Sequence, residues 1–474
     1  MHMKSKLTVV IAAVLSTSTY ALDIGFESAL TAFDSDNIGG INTGPGDLDV
    51  PGGLTTEFSF GVFGEHTARN YTGGFDANLV LRQRTGDDDT TSENTITRFL
   101  GALDYAITPR GLNWYVGDVL GTVLPRGQLQ ALDIDRDDLV RRNVFITGPE
   151  VNFEIDQASR INARFLFVDQ SDDRNIELEN IYSLSASYES EINTADRWGW
   201  LLSDVFTDNP ETDVATQVQE ADYNRLSAAL FWGRERSVNG YYLQAGLTQF
   251  TVDDETVDGA SLQAVFTRAL SPQSTFAFTV GQELTDTTLT SIEGLTTTGV
   301  ATEENIDAIV QETSVAVEYR FESTLMTLDA SAGLRDSDNQ LLFAQNLAAI
   351  DPDTEDTTGF FGSLAVFRRF NNSLIGNAEV SFIHEEAVNT ALEQDSLLTT
   401  LSLSYLLTNT WTIEGGVSYS FDEGIEANTT DTTLGDSPFE LEENRVFLSL
   451  RWSPPTKATR DSTLELKSLI ADPR

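Results

Sequence analysis

Residues 409–423, NTWTIEGGVSYSFDE, alternate without a slip: Trp411, Ile413, Gly415, Val417, Tyr419 and Phe421 on one face, Thr412, Glu414, Gly416, Ser418, Ser420 and Asp422 on the other. A period of two sends successive side chains to opposite faces of a strand, so this segment separates an oily medium from a wet one. The pair of media is either a protein core and solvent or lipid and water. Along the chain, about twenty segments of roughly ten to fourteen residues share this alternation or a strand-like composition, among them Phe58/Phe60/Val62, Ile161/Ala163/Phe165/Phe167 and Val446/Leu448/Leu450/Trp452. A tilted strand needs about 9–11 residues to cross a bilayer, and these lengths suffice.

The connectors discriminate between the two pairs of media. Short ones, such as ITPRG (107–111), IDQASR (155–160), FNNS (370–373) and LTNT (407–410), alternate with long acidic ones. The long ones include RTGDDDTTSEN (84–94), DQSDDRN (169–175), TDNPETD (207–213), the stretch from Thr285 to Val310, DPDTEDTT (351–358) and the segment 422–444. Turns on one side and loops on the other are the layout of an outer-membrane barrel, and nothing in a soluble sandwich sorts loops in this way. Hairpins counted on that rule predict an all-β fold, a single transmembrane antiparallel β-barrel of about 20 strands (18–22) with both termini in the periplasm. Gly148-Pro149 predicts a bulge or an irregular strand start, since proline cannot donate to a ladder, and Gly73-Gly74 and Gly415-Gly416 read as strand bends.

The N-terminus supports export. Lys4 and Lys6 precede the apolar run Leu7 to Leu15, and Thr19-Tyr20-Ala21 offers small residues for cleavage, so residues 1–21 are expected to be a signal peptide. The barrel is then expected over 22–453 and a periplasmic tail over 454–474. With strand one starting at about Asp23, no N-terminal plug is expected, and the connector 123–140 is the candidate to fold inward. There is no cysteine, hence no disulfide and no thiolate metal site. The net charge of −45, from 74 acidic and 29 basic residues, excludes nucleic acid as a partner. The expected surroundings are outer-membrane lipid and lipopolysaccharide, with divalent cations at the acidic loops.

Catalysis finds no support. Of three histidines, His2 leaves with the signal, while His66 and His384 fall near opposite ends of their strands. Neither a phosphate-cradling glycine loop nor a paired-histidine metal spacing occurs, so no catalytic residue, metal ligand or cofactor is expected.

Two short motifs carry a family resemblance. Phe33-Asp34-Ser35-Asp36-Asn37-Ile38 resembles the aromatic-Asp-x-Asp-Asn opening of porin-type outer-membrane barrels found with exopolysaccharide and exosortase (PEP-CTERM) loci of Gram-negative bacteria. Asn143 to Pro149 is similar to that family's Gly-Pro strand entry, and a signal peptide followed by one barrel matches its layout. The resemblance implies a channel or scaffold through which polysaccharide leaves the cell. Read as chemistry alone, Asp34, Ser35, Asp36 and Asn37 could cap a turn through Asx hydrogen bonds or supply calcium ligands.

One compositional feature bears on the pore wall: lysine is absent from residue 7 to residue 456, so the basic side chains of the barrel are all arginine. On the polar register stand Arg82, Arg98, Arg160, Arg164, Arg225, Arg320, Arg335, Arg445 and Arg451, interleaved with Asp76, Asp104, Glu318, Asp329, Glu379 and Glu414. A charge facing lipid near the midplane costs about 2–4 kcal/mol, so these are the expected pore-lining residues. They either brace the wall through ion pairs or grip the carboxylates of acidic sugars. The function classes left open are a transport pore, for exported polysaccharide or as a general diffusion porin, and a non-conducting structural or adhesive barrel.

Overall fold

The computed structural model describes residues 23–36, 53–86, 91–108, 111–124, 140–172, 177–208, 222–252, 255–286, 300–302, 308–342, 356–387, 393–426 and 437–454. The expected signal peptide, the connector core 125–139, most of the acidic loops and the tail beyond 454 lie outside the described residues. The strands run β1 (Asp23–Ser35), β2 (Gly53–Thr67), β3 (Tyr71–Gly86), β4 (Thr91–Thr108), β5 (Leu112–Leu124), β6 (Val140–Glu154) and β7 (Ser159–Asp172). They continue with β8 (Glu177–Glu191), β9 (Asp196–Asp208), β10 (Tyr223–Glu235), β11 (Asn239–Val252), β12 (Glu255–Ser271), β13 (Ser274–Asp286) and β14 (Val300–Thr302). The circuit is completed by β15 (Ala308–Glu322), β16 (Met326–Leu342), β17 (Thr357–Arg369), β18 (Leu374–Ala387), β19 (Glu393–Leu406), β20 (Trp411–Glu426) and β21 (Ser437–Trp452).

With β14 set aside, twenty strands form one closed antiparallel barrel in which every strand pairs with its chain neighbours and β21 returns to β1 from Ser28↔Trp452 to Ser35↔Arg445. Closure leaves no strand of the barrel without a neighbour on either side, so wall N–H and C=O groups pair from strand to strand without water. The outward register carries the exposed apolar side chains; Leu230 and Leu247 are 65% and 71% exposed. Only lipid makes that surface favourable, so the barrel spans a membrane. At the rim of the short turns, Tyr105, Trp114, Trp198, Tyr241, Tyr405 and Trp411 point outward, and toward the other rim so do Tyr182, Phe206, Phe360 and Phe382. These are the two aromatic girdles of a bilayer-spanning barrel. Both Asp23, opposite Glu65, and Trp452, opposite Trp411, lie at the short-turn rim.

Several local expectations are corrected. Several strands are longer than the alternation implied, with 16 residues in β3, 18 in β4 and 16 in β20, so 84–86, 91–94 and 422–426 belong to strands rather than loops. Backbone pairing outlasts the lipid: on β11 and β12 the outward register turns polar at Gln249 and Asp258, where Gln249 donates to Asp258 at 2.7 Å. The two-residue step between Val252 and Glu255 also puts a short connector on the long-loop side.

Gly148 and Pro149 begin no strand and make no bulge. They lie in mid-β6, where the ladder to β7 skips from Thr147↔Phe167 to Glu150↔Arg164 with its register kept. The proline has no N–H to give, and a Cβ on Gly148 would stand 1.9 Å from the Phe165 carbonyl oxygen, so the two backbones pass too closely for a side chain. Gly415 and Gly416 likewise sit in an unbroken ladder, not at a bend; Gly416 lies beneath the Phe447 ring.

Candidate functional site: the inner wall and its constriction

The positions named from sequence, Arg82, Arg98, Asp104, Arg160, Arg164, Arg225, Glu318, Arg320, Asp329, Arg335, Glu414, Arg445 and Arg451, all fall on the inward register, opposite in parity to the exposed apolar residues of their strands. They do not share one environment. The inner wall divides into sectors, and the residues differ by which sector they occupy.

The first sector is the seam between the last strands and the first. Arg82 is ion-paired with Glu57 across β2 and β3, and Arg445 lies 4.1 Å over the Phe33 ring. Arg445 also pairs with Glu443 at 3.0 Å, and the hydroxyl of Ser35 donates to Glu443, which is 2% exposed. Asp36 accepts from both the backbone N–H (2.7 Å) and the side-chain amide (2.9 Å) of Asn444. Phe33 to Asp36 therefore fasten β1 to β21, and the rest of the motif, Asn37 and Ile38, lies outside the described residues.

The second sector is dry. Across β4–β9 the inward residues Leu100, Tyr115, Val119, Val144, Ile146, Leu166, Val168, Ile181 and Val205 form a buried apolar cluster. At its lower margin Arg164 stands opposite Glu150 and Arg160 donates to Glu189 at 2.9 Å. These side chains are buried, so this stretch of the inner face is not exposed to solvent.

A third sector is covered by the chain itself. Pairing of β12 with β13 stops at Leu262↔Gln282, yet β13 and β15 stay paired up to Asp286↔Ile309. Beyond Gln282 the two strands leave the wall and bend into the barrel. The face that bears the outward Phe278 and Val317 lower down now bears Leu284 and Ile309, which pack on the inward Tyr223, Phe250 and Val252. Gly259 makes room, since a Cβ there would come within 2.7 Å of the Leu284 Cβ and of the Gln311 side-chain oxygen. Further along, β14 pairs in parallel with Thr122–Leu124 of β5. The described parts of the β13–β15 connector thus lie on β10–β12 at its base and on β5 at β14, and residues 287–299 and 303–307 lie outside the described residues. The expected inward segment was 123–140; its core lies outside the described residues, and nothing in the alternation of 274–286 distinguishes Leu284 from a lipid-facing leucine.

What stays open is the wall of β15–β18. Glu318, Asp329, Glu379 and Phe367 are exposed there, and Arg320 is 65% exposed, near Asp329 (3.6 Å) and Glu322 (3.5 Å). Arg335 pairs with Glu312 at 2.9 Å. The wall between carries hydroxyls, with Ser331 and Ser363 2.7 Å apart. Carboxylates outnumber guanidiniums on this open face, and most guanidiniums already have a carboxylate partner. Among the described residues no group of three or more His, Asp or Glu side chains is arranged to hold a metal ion. His66 and His384 lie at opposite rims, and His384 faces outward, 2.7 Å from Asp395.

No protein-family model matches the chain, and no curated protein does. Solved structures do. The apoprotein form of the FrpB iron transporter from Neisseria meningitidis (F5-1 variant) is 10% identical, with 94% of this chain and 82% of that one covered and a TM-score of 0.52. The siderophore receptor PirA from Pseudomonas aeruginosa is 11% identical over 91% of this chain and 80% of its own, with a TM-score of 0.45. OccK1 (OpdK) from Pseudomonas aeruginosa is 12% identical over 91% and 99%, with a TM-score of 0.37. At these identities the likeness is one of fold. With the apolar outer belt and the paired girdles, it describes a large barrel of the Gram-negative outer membrane.

Proposed function

We propose that the chain is an outer-membrane channel that passes small hydrophilic solutes, cations in preference to anions, along the β15–β18 side of a narrowed lumen, with the short-turn rim toward the periplasm. The observation that carries this is the charge of the exposed inner face, where Glu318, Asp329 and Glu379 exceed the partly neutralised Arg320 and Arg335. Fixed carboxylates in a confined aqueous path concentrate cations and repel anions. The test is the reversal potential of the purified protein in planar bilayers under a salt gradient. It should take the sign of cation preference and move toward zero in the combined variant E318Q/D329N/E379Q. Anion preference in the native protein, or no conductance at all, would sink the proposal and leave the structural or adhesive reading.

Export of polysaccharide, which the family resemblance implies, is a narrower form of the same proposal. Phe367, exposed on the inner wall, offers a ring on which a sugar could stack. The arginines offered for uronic acids are largely engaged: Arg160 with Glu189, Arg335 with Glu312. A neutral chain suits this lumen better than an acidic one. Block of the open channel by neutral but not by acidic oligosaccharides, relieved by F367A, is the expected result. The acidic connectors, outside the described residues, are proposed to bind divalent cations weakly from the exterior. A melting temperature that rises with calcium beyond the effect of sodium chloride at equal ionic strength would bear this out.

A further inference from the structure

The in-folded end of β13–β15 is held by an unusual set of contacts for a surface that lines a lumen. Arg225 on β10 is 2% exposed and donates to Glu283 at 2.7 Å and to the Leu284 carbonyl at 3.3 Å, with its guanidinium 5.7 Å from the Phe250 ring. Tyr223, two residues away on the same inward register, donates its hydroxyl to the buried Asp286 at 3.0 Å. Leu284 and Ile309 fill the space between, and Gly259 supplies the room. The seat is therefore built from three wall strands to receive these two strand ends.

The seat is also incompletely satisfied. The Arg225 Nε and Nη1 are buried without a hydrogen-bond partner. Buried polar groups in stable cores are nearly always paired, and an unmet donor or acceptor of a charged group is costly. That cost weakens the seated state relative to one in which the strand ends lift and these atoms meet water. The wall has little stake in the outcome, because β10, β11 and β12 remain continuously paired with each other from Tyr223↔Val252 and Val252↔Glu255 downward. Two strand ends can thus leave without opening the barrel.

We propose that residues 283–286 and 309–311 form a latch, closed by Arg225–Glu283 and Tyr223–Asp286, whose release widens the lumen along β10–β12. The two arrangements differ by a hinge just beyond Gln282, where pairing to β12 ends. This rests on the channel proposal for its consequence, although the movement itself does not require conduction. Two perturbations act on the latch by different physics. E283Q removes the charge that faces Arg225, and loss of one charge-assisted hydrogen bond shifts such an equilibrium about tenfold or more. G259V places methyl groups where Leu284 and Gln311 now lie.

The experiment uses the absence of cysteine, which makes L284C the single thiol of the chain. Folded L284C protein in lipid vesicles is exposed to a membrane-impermeant maleimide and the labelling rate followed, with folding checked by the gel mobility of unboiled samples. Slow labelling in L284C, accelerated about tenfold or more in both L284C/E283Q and L284C/G259V, is the expected result. Immediate labelling of L284C would show that the strand ends are not seated, and an unchanged slow rate in both double variants would show that they are fixed; either outcome overturns the latch. In bilayers the E283Q and G259V channels should spend more time in a larger-conductance state. If the native protein carries no current, the channel proposal falls, while the labelling rates still decide whether the latch exists.

Discussion

At the scale of single residues, the glycines separate by what surrounds them. Gly111 has φ of +96° at the turn into β5, and a Cβ there would stand 1.8 Å from the Asn152 carbonyl oxygen. Gly148 meets the Phe165 carbonyl as closely, whereas the nearest atoms to a Cβ on Gly415 are 3.6 Å away. G111A and G148A should each destabilise the barrel by about 1–3 kcal/mol or prevent its assembly, and G415A should change the urea midpoint little. All three lie in a β-rich sequence, and sequence alone does not show that Gly111 and Gly148 meet a carbonyl oxygen while Gly415 does not. The arginines show the same limit. Period and the cost of charge in lipid put them on the inner register, yet the partner of each sits on a neighbouring strand: Glu283 answers Arg225 from 58 positions away. Being half-exposed, the Arg335–Glu312 pair should return no more than about 1 kcal/mol in a double-mutant cycle.

At the scale of strands, the alternation is informative as far as two unlike media persist. Leu230 on β10 sits in the apolar belt, while Gln244 on β11 faces inward and accepts the Tyr242 hydroxyl at 2.6 Å. L230R should cost about 2–4 kcal/mol in the unfolding free energy measured in vesicles, and Q244R much less, because only the first puts charge into hydrocarbon. Strand ends were misjudged for the same reason. Above the lipid, both faces meet water and the apolar signal stops, but the ladder continues because neighbouring strands still offer hydrogen-bond partners. Pro149 misled in the opposite direction: the lost N–H removes one rung, and the strong pairing of β5 with β6 on the other side carries the strand through.

At the scale of the whole molecule, closure of β1 on β21 leaves no edge to fray, and the seam is reinforced from within by Ser35, Glu443, Arg445 and Phe33. The unboiled protein should therefore resist dodecyl sulfate and run at a different apparent size from the boiled one. R445Q or E443Q should lower the temperature of that conversion, since each leaves a buried partner unmet. A chain recovered soluble, with no heat-dependent mobility, would contradict the membrane barrel.

Taken alone, the order of residues determined that this chain forms a barrel of about twenty strands, which face of each strand carries the apolar belt, and that arginines such as Arg82, Arg164 and Arg320 stand on the opposite face. Each of these follows from local alternation against a bilayer, a solvent whose demand is the same at every strand. Which inward residues meet the lumen was decided only by tertiary structure. Leu284 and Ile309 carry the pattern of lipid-facing side chains but cover Tyr223 and Phe250, and Val144 and Val168 hold inward positions yet are wholly buried. An inward position specifies the side of a sheet, whereas exposure depends on what the chain later lays across it, and that contact joins residues far apart in sequence through packing that no single strand's period records.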